Sequence, residues 1–188
     1  NENKYVETAG GTTPLQMLEE GKVSLPFRPI SCLVNNKSED LRFALYAPKQ
    51  VEYLDALSES GRRVYTRALC FMLYKAVSEI FPDSHLRIEH SIFRGYFCRI
   101  FPVASGNQDT KPQQPIPLTP ATVRQLEERM HDLAAADLPF ERQEHLTDDV
   151  LPQLSRQHLD SKVLLFETTS QLYTTYYTLD GLADSYYG

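Results

Sequence analysis

A long amphipathic helix followed directly by two alternating runs constrains the fold of this 188-residue chain more than any other feature. Between Gly61 and Ile80, apolar residues recur with i, i+3, i+4, i+7 spacing, which is typical of a helix with one buried face. Pro82 ends this helix, because proline cannot donate a helical hydrogen bond. The runs around Gly95 alternate apolar and polar residues, as strands do. The predicted apolar stripe is Tyr65, Ala68, Leu69, Met72, Leu73, Ala76, Val77 and Ile80.

The residues before this helix predict a small α+β unit. Alternation at residues 4–8 favours a strand. Thr12 or Thr13 can cap a short helix that carries Pro14 in its first turn and ends at Gly21. Further strands are expected at residues 30–34, 41–44 and 51–54, with a turn at 35–37.

The residues after the predicted hairpin add more helices and strands. Proline-rich residues 104–117 predict an exposed loop. Thr119 and Pro120 predict the start of a second long helix, because a threonine cap and a first-turn proline favour helix initiation. The remaining predicted elements are a strand at 140–145, a helix capped by Thr147 that runs to about residue 159, and strands at 162–166 and 172–178.

Composition bounds the class of protein. Hydrophobic residues make up 41% and charged residues 23%, and the net charge is −6. This charge argues against a protein that coats nucleic acid over its whole surface, although it permits a local basic patch. No apolar run approaches the length of about 20 residues that a membrane helix needs, and no signal peptide is recognisable. The three dispersed cysteines, Cys32, Cys70 and Cys98, favour free thiols in a reducing cytoplasm.

The long helix predicted between Gly61 and Ile80 resembles a helix of the editing-type second additional domain of threonyl- and alanyl-tRNA synthetases. The resemblance extends through the predicted hairpin and through residues 126–133 of the second long helix. It implies four metal-ligand positions, which fall here on Arg67, Phe71, Leu182 and Tyr186. None of these four residues is a zinc ligand of the family's type, so the resemblance implies a degenerate zinc site and no bound metal.

The order of the earlier elements resembles a TGS domain, which has a ubiquitin-like β-grasp fold. TGS followed by the second additional domain is the order in threonyl-tRNA synthetases. We therefore expect an α+β protein of two domains: a β-grasp domain at residues 1–57, and a synthetase editing-like domain at 61–188 with an antiparallel sheet packed on long helices. We also expect a further strand before Lys4.

Several phrases resemble bacterial uridine kinase-like, or nucleoside kinase, proteins, among them Ile88-Glu89-His90-Ser91-Ile92 and Leu179-Asp180-Gly181. The resemblance implies a cytoplasmic, non-catalytic regulatory or nucleotide- or RNA-binding region. Its partners would be its own C-terminal kinase domain, expected after Gly188, and tRNA or a nucleotide, but no membrane. The chain has no glycine-rich phosphate loop with its lysine. ATP and magnesium, and the transferase activity, would therefore belong to the parent kinase. The alternative is a stand-alone aminoacyl-tRNA editing hydrolase.

The residues themselves suggest three candidate sites, and each has a simpler structural interpretation. His85, His90 and Cys98 are conceivable zinc ligands, but strand residues that face solvent are the simpler interpretation. Arginines interleaved with aromatic residues could bind RNA, or could cover an aromatic core. The tyrosines at 173, 176, 177, 186 and 187 could form a stacking wall or half of a core. The candidate ligand-binding residues of the former editing cleft are Arg67, Phe71, Lys75, His90, Arg94, Tyr96 and Tyr186; no residue is expected to be catalytic.

Overall fold

The computed structural model describes residues 4–93, 95–103, 114–169 and 171–185. It confirms an α+β fold of antiparallel sheets and helices. The chain divides into two compact units, Asn1–Ala68 and Leu69–Gly188, and this division falls inside the longest described helix. The predicted domain boundary lies about ten residues earlier, at the start of that helix. It stays a prediction, as does the TGS resemblance of the first domain.

The first unit holds one helix and a three-stranded sheet. Its elements are α1 (Pro14–Glu19), β1 (Ser31–Val34), β2 (Lys37–Glu39) and β3 (Val51–Leu54). The strand order is β2-β1-β3, with both pairs antiparallel. Thr13 caps α1, as predicted: its hydroxyl accepts a hydrogen bond from the Gln16 amide, and the Gln16 side chain accepts one from the Thr13 amide. The Tyr53 hydroxyl donates to the Pro14 carbonyl oxygen at 2.9 Å and so ties α1 to β3.

Two predicted strands of this unit were wrong. Residues 4–8 form no strand, and residues 41–44 form a turn and an extended segment. The Asp40 carboxylate accepts a hydrogen bond from the Arg42 amide at 2.7 Å, and this turn competes with strand geometry. The third strand is instead β2, which directly follows the predicted turn. Asn35 and Asn36 make that turn with φ values of 50° and 64°, which asparagine tolerates better than most residues.

The long helix α2 (Glu59–Ile80) begins with side-chain caps. The Asp55 carboxylate accepts hydrogen bonds from the amides of Leu57 and Ser58, and the Ser58 hydroxyl accepts one from the Gly61 amide. A Cβ atom at Gly61 would lie 1.8 Å from the Asp55 carbonyl oxygen, so only glycine fits there. The predicted helix is thereby confirmed, with a start two residues earlier.

The second unit adds a hairpin, three helices and a second three-stranded sheet. Its elements are β4 (Ser84–Ile92), β5 (Gly95–Pro102), α3 (Pro120–Ala135), β6 (Glu141–Leu146), α4 (Thr147–Arg156), α5 (Asp160–Thr169), β7 (Tyr173–Leu179) and β8 (Leu182–Asp184). Strands β4 and β5 pair with each other, and the second sheet has the antiparallel order β6-β7-β8. Thr119 caps α3 as predicted. Most of the predicted loop, residues 104–113, lies outside the described residues.

The second-unit part of α2 packs on two apolar clusters. One cluster joins it to β5 and α3, and its buried members are Ala76, Val77, Ile100, Leu126 and Leu133. The other joins it to the β7–β8 hairpin, and its buried members are Phe71, Tyr74, Leu179 and Leu182. A third cluster packs the helices α4 and α5 on β7 and β8. Burial on two sides therefore covers more of α2 than the single predicted stripe.

The predicted strand at residues 162–166 was wrong, because this run lies inside α5. Val163 and Phe166, which are three residues apart, both pack on the cluster that includes Val150 and Leu154 of α4. A short apolar run does not distinguish a buried helix from a strand by its periodicity. Thr147 is also the first residue of α4 rather than its cap. Its hydroxyl donates to the Gln171 carbonyl oxygen at 2.5 Å.

Candidate functional site

The most distinctive surface of the second unit is one face of the β4–β5 hairpin, on which aromatic and basic side chains alternate. Residues that pair directly across an antiparallel hairpin lie on the same face. On this face His85 pairs with Phe101, Arg87 with Arg99, and His90 with Phe97. We call this surface the aromatic–arginine face. It consists of His85, Arg87, His90, Phe97, Arg99 and Phe101.

The inner half of this face is built around Phe101, which is almost fully buried. The His85 ring stacks on Phe101, with 5.6 Å between the ring centroids. The Arg87 guanidinium carbon lies 4.8 Å from the Phe101 centroid, and that of Arg99 lies 5.2 Å from it. Burial, and then the positive charges of Arg87 and His158, lower the pKa of His85, whereas Asp160 partly opposes this effect. His85 therefore stays neutral near pH 7, and the two guanidiniums are the fixed charges of the inner half.

The outer half of the face is open to solvent. Phe97 is 41% exposed, and its ring centroid lies 5.5 Å from that of the exposed His90. The Arg99 guanidinium carbon lies 5.8 Å from the Phe97 centroid. The Nε and Nη2 groups of Arg99 both donate to one carboxylate oxygen of Glu89. The outer half thus presents an exposed ring beside a guanidinium whose orientation is fixed.

A β-bulge at Glu89 brings His90 onto this face. Ile88 pairs with Cys98 and His90 pairs with Phe97, so two steps along β4 match one step along β5. The extra residue reverses the alternation of β4 beyond that point. Without the bulge, the sequence alternation alone would place Ile88 and His90 on the same face.

The opposite face of the hairpin is apolar. Its inner residues Leu86 and Ile100 belong to the core, and its outer residues Ile88 and Tyr96 are exposed. Burial raises the pKa of the Cys98 thiol, which donates to the Tyr96 carbonyl oxygen at 3.6 Å. This face therefore offers apolar surface and a protonated thiol.

Two predicted cleft residues lie in the interior. Phe71 is 1% exposed, and its ring centroid lies 5.8 Å from that of Phe140. Lys75 is also buried. Its ammonium donates to the Asp180 carbonyl oxygen at 2.8 Å and lies 3.1 Å from a Glu79 carboxylate oxygen. Arg129 also donates to Glu79, and this hydrogen bond, with help from Lys75, lowers the pKa of Glu79.

The other predicted cleft residues do not complete one surface. Arg67 lies on the first-unit part of α2 and is half-buried. His90 and Tyr96 are exposed, but they lie on opposite faces of the hairpin. Arg94 and Tyr186 lie outside the described residues. Ligand binding by this set of residues stays a prediction.

The synthetase resemblance implies metal-ligand positions, but the residues found there do not fit a zinc ion. Phe71 and Leu182, 111 positions apart by their numbers, pack in the same apolar cluster, and neither side chain can coordinate a metal. The other proposed ligands do not converge either, because His85 and His90 lie on the aromatic–arginine face and Cys98 on the opposite face. Within the described ranges, no group of three or more His, Cys, Asp or Glu side chains could hold a metal ion.

The predicted tyrosine wall is divided between the two faces of β7. The Tyr176 side chain is buried, and its hydroxyl lies 3.0 Å from Nδ1 of His145. Tyr177 packs with the cluster on the opposite side of the sheet, and Tyr173 is exposed. Tyr186 and Tyr187 lie outside the described residues. The described tyrosines therefore serve mainly to pack the sheet.

Comparison with known proteins finds threonine–tRNA ligases. The chain is 30% identical over 151 residues to the ligase of Desulforamulus reducens, which covers 80% of this chain and 22% of the ligase. It is 27% identical over 157 residues to the ligase of Syntrophomonas wolfei, with 84% of this chain and 23% of that ligase covered. It is 29% identical over 147 residues to the ligase of Thermobifida fusca, with 78% of this chain and 20% of that ligase covered. The chain is therefore similar to a part of threonine–tRNA ligases.

The chain spans about a fifth of the length of these curated relatives. No family model matches it. The three relatives are ligases that act on tRNA, so the comparisons support the synthetase resemblance and give no support to a uridine kinase-like parent. They favour the alternative expectation, an editing-type domain, over the primary one. None of the helices in the described ranges has the length and apolarity needed to cross a bilayer.

Proposed function

We propose that this chain binds tRNA through the aromatic–arginine face of the β4–β5 hairpin. One observation carries the proposal: the exposed ring of Phe97 lies beside His90 and beneath the guanidinium of Arg99. Unpaired bases stack on exposed aromatic rings, and their phosphates attract arginine. The similarity to threonine–tRNA ligases supports tRNA as the RNA concerned.

The acidic net charge of −6 is compatible with this proposal, because two arginines, Arg87 and Arg99, lie side by side on one hairpin face. Nonspecific coating of nucleic acid would need positive charge over much of the surface. A local face instead binds a short stretch of RNA by stacking and a few charge contacts. We therefore expect binding that prefers unpaired over fully paired RNA.

Titration of labelled tRNA against variants with one ring removed tests the proposal. Phe97→Ala should weaken binding by about 10- to 100-fold, since stacking of one base on an aromatic ring contributes roughly 1–3 kcal/mol. Tyr173→Ala is the matched control, because Tyr173 is an exposed strand aromatic in the other sheet of the same unit. This control should bind tRNA as the wild type does.

Thermal melts of both variants establish that they are folded. A wild-type protein that fails to bind tRNA at millimolar concentration would refute the proposal. Equal losses in Phe97→Ala and Tyr173→Ala would refute the assignment to this face.

A second candidate function, hydrolysis of misacylated tRNA, is favoured by the same similarity to ligases. The residues fit it poorly, because Phe71 and Leu182 occupy two of the family's metal-ligand positions. We expect no deacylation of mischarged tRNA above the rate without protein. Turnover that is lost in His90→Gln, the exposed histidine of the proposed face, would instead establish the hydrolase.

A further inference from the structure

Two arginines stand directly opposite each other in the middle of the aromatic–arginine face. Arg87 and Arg99 are paired across β4 and β5, and both guanidiniums lie over the Phe101 ring. Like charges directly opposite in a strand pair destabilise the pairing. The charges of Arg87 and Arg99 therefore do not stabilise the hairpin, and their pairing needs another explanation.

The charges of this pair do not balance within the described part of the chain. Arg99 is neutralised by Glu89, whose carboxylate oxygen accepts two of its N–H groups. Arg87 stacks on Phe101 but forms no ion pair with any residue of the described ranges. Asp160 is close enough to affect His85, but its influence there is smaller than that of Arg87. Two guanidiniums and one carboxylate leave one positive charge.

We infer that Arg87 and Arg99 form a site for one phosphate monoanion, with Arg87 as the principal contact. The site deepens the proposed function and rests on it: the anion is a phosphodiester of the RNA whose base stacks on Phe97. Phe97 and Arg99 are two residues apart on β5, or about 7 Å along the strand, so a stacked base brings its backbone to the arginine pair.

The chemistry of the site favours phosphate. A guanidinium presents planar, paired N–H donors that match two phosphate oxygens, and it binds them more specifically than an ammonium does. Stacking on Phe101 already restricts both guanidinium planes, so less side-chain entropy is lost when the anion binds. A single uncompensated charge matches a phosphodiester, which carries one negative charge.

The salt dependence of tRNA binding tests this inference, because each neutralised phosphate contributes to the slope of log affinity against log salt concentration. Arg87→Gln should reduce the slope by about 0.7 to 0.9, the contribution of one phosphate, and should weaken binding. Glu89→Gln removes the compensating carboxylate and should steepen the slope. The opposite signs matter, since general loss of folding would weaken binding in both variants.

Arg142→Gln is the matched control. Arg142 is an exposed strand arginine of β6, with the Glu144 carboxylate 3.2 Å away. It should leave the slope as in the wild type. An unchanged slope in Arg87→Gln, or an equal reduction in Arg142→Gln, overturns the inference.

A second arm separates RNA phosphate from free phosphate. Inorganic phosphate and uridine monophosphate are titrated while the arginine Nε–H resonances are followed by NMR. Saturable shifts that disappear in Arg87→Gln, without any tRNA binding, would retain the anion site and reject the proposed function. Binding of tRNA that depends on Phe97 but not on Arg87 would retain the proposed function and reject the anion site. If the protein neither binds tRNA nor shows phosphate-induced shifts, both the proposed function and the anion site are rejected.

Discussion

At the scale of single residues, Phe101 is the centre of the aromatic–arginine face, because its buried ring lies beneath the guanidiniums of Arg87 and Arg99. Arg87, Arg99 and Phe97 were among the arginines and aromatic residues that the sequence left open as either RNA-binding or core-covering. Phe101 was not, because alternation alone does not reveal that one ring lies under two guanidiniums. The bulge at Glu89 has no strong sequence signal, so the face on which His90 lies could not be derived.

Phe71 and Lys75 were predicted to line a cleft, but both side chains are buried. They lie outside the predicted apolar stripe, because a helical period detects one apolar stripe and cannot detect a second packing layer. That layer comes from the β7–β8 hairpin, and the contact between Lys75 and Asp180 joins residues 105 positions apart. Long-range contacts of this kind are not encoded in any local pattern.

His85 should make stability depend on pH. Burial and the charge of Arg87 lower its pKa from the usual 6.5, so the unfolded state binds the proton more tightly. The stabilising contribution is present above pH 6.5 and is lost as the pH falls through that value toward the folded-state pKa. NMR titration should give a pKa below 6.5 for His85, and a value closer to 6.5 in Arg87→Gln.

The melting temperature provides an independent readout of the same effect. It should fall less steeply between neutral and mildly acidic pH in His85→Gln than in the wild type. Identical pH profiles for the two proteins would contradict a perturbed His85.

At the scale of elements, capping and turn chemistry predicted helix starts well, whereas short apolar runs misled. The starts of α1 and α3 follow from their threonine caps and first-turn prolines. The helix α5 was taken for a strand because only its tertiary packing distinguishes the two structures. Its docking also depends on one charged contact that no local pattern reveals.

Lys162 of α5 provides that contact. Its ammonium donates to the buried carboxylate of Asp184 on β8 and to the Ser185 carbonyl oxygen. Burial lowers the pKa of Lys162 to about 8 even beside this carboxylate. Lys162→Met should lower the free energy of unfolding by about 3 kcal/mol, because Asp184 is left without its cation. Urea unfolding measures the change.

The double variant Lys162→Met/Asp184→Asn should lose less stability than the sum of the two single variants. Arg142→Met, which breaks an exposed pair with Glu144, should change the unfolding free energy by less than about 1 kcal/mol. Strictly additive losses at positions 162 and 184 would show that the two side chains do not act as a pair.

At the scale of the whole molecule, the α+β class and the synthetase resemblance followed from sequence, and the predicted domain boundary stays a prediction. The division lies within α2, although the caps of this helix begin at Asp55.

A fragment of residues 55–188 should therefore fold and melt cooperatively, because it keeps the caps supplied by Asp55 and Ser58 and all of α2. A fragment of residues 69–188 begins inside the helix and loses those caps, so its melting temperature should be lower. Circular dichroism melts of the two fragments compare them directly. Equal melting temperatures would mean that the first half of α2 contributes nothing to the second unit.

The bulge in β4 also bears on how this hairpin can change length during evolution. A deletion inside a strand ordinarily turns every following side chain to the other side of the sheet. Glu89 is an exception, since it is already the surplus residue between the pairs Ile88–Cys98 and His90–Phe97. Its deletion would leave both pairs aligned, so the side chains at the hairpin tip would stay on the same faces of the sheet. Relatives one residue shorter at this point could therefore retain the same outward-facing side chains.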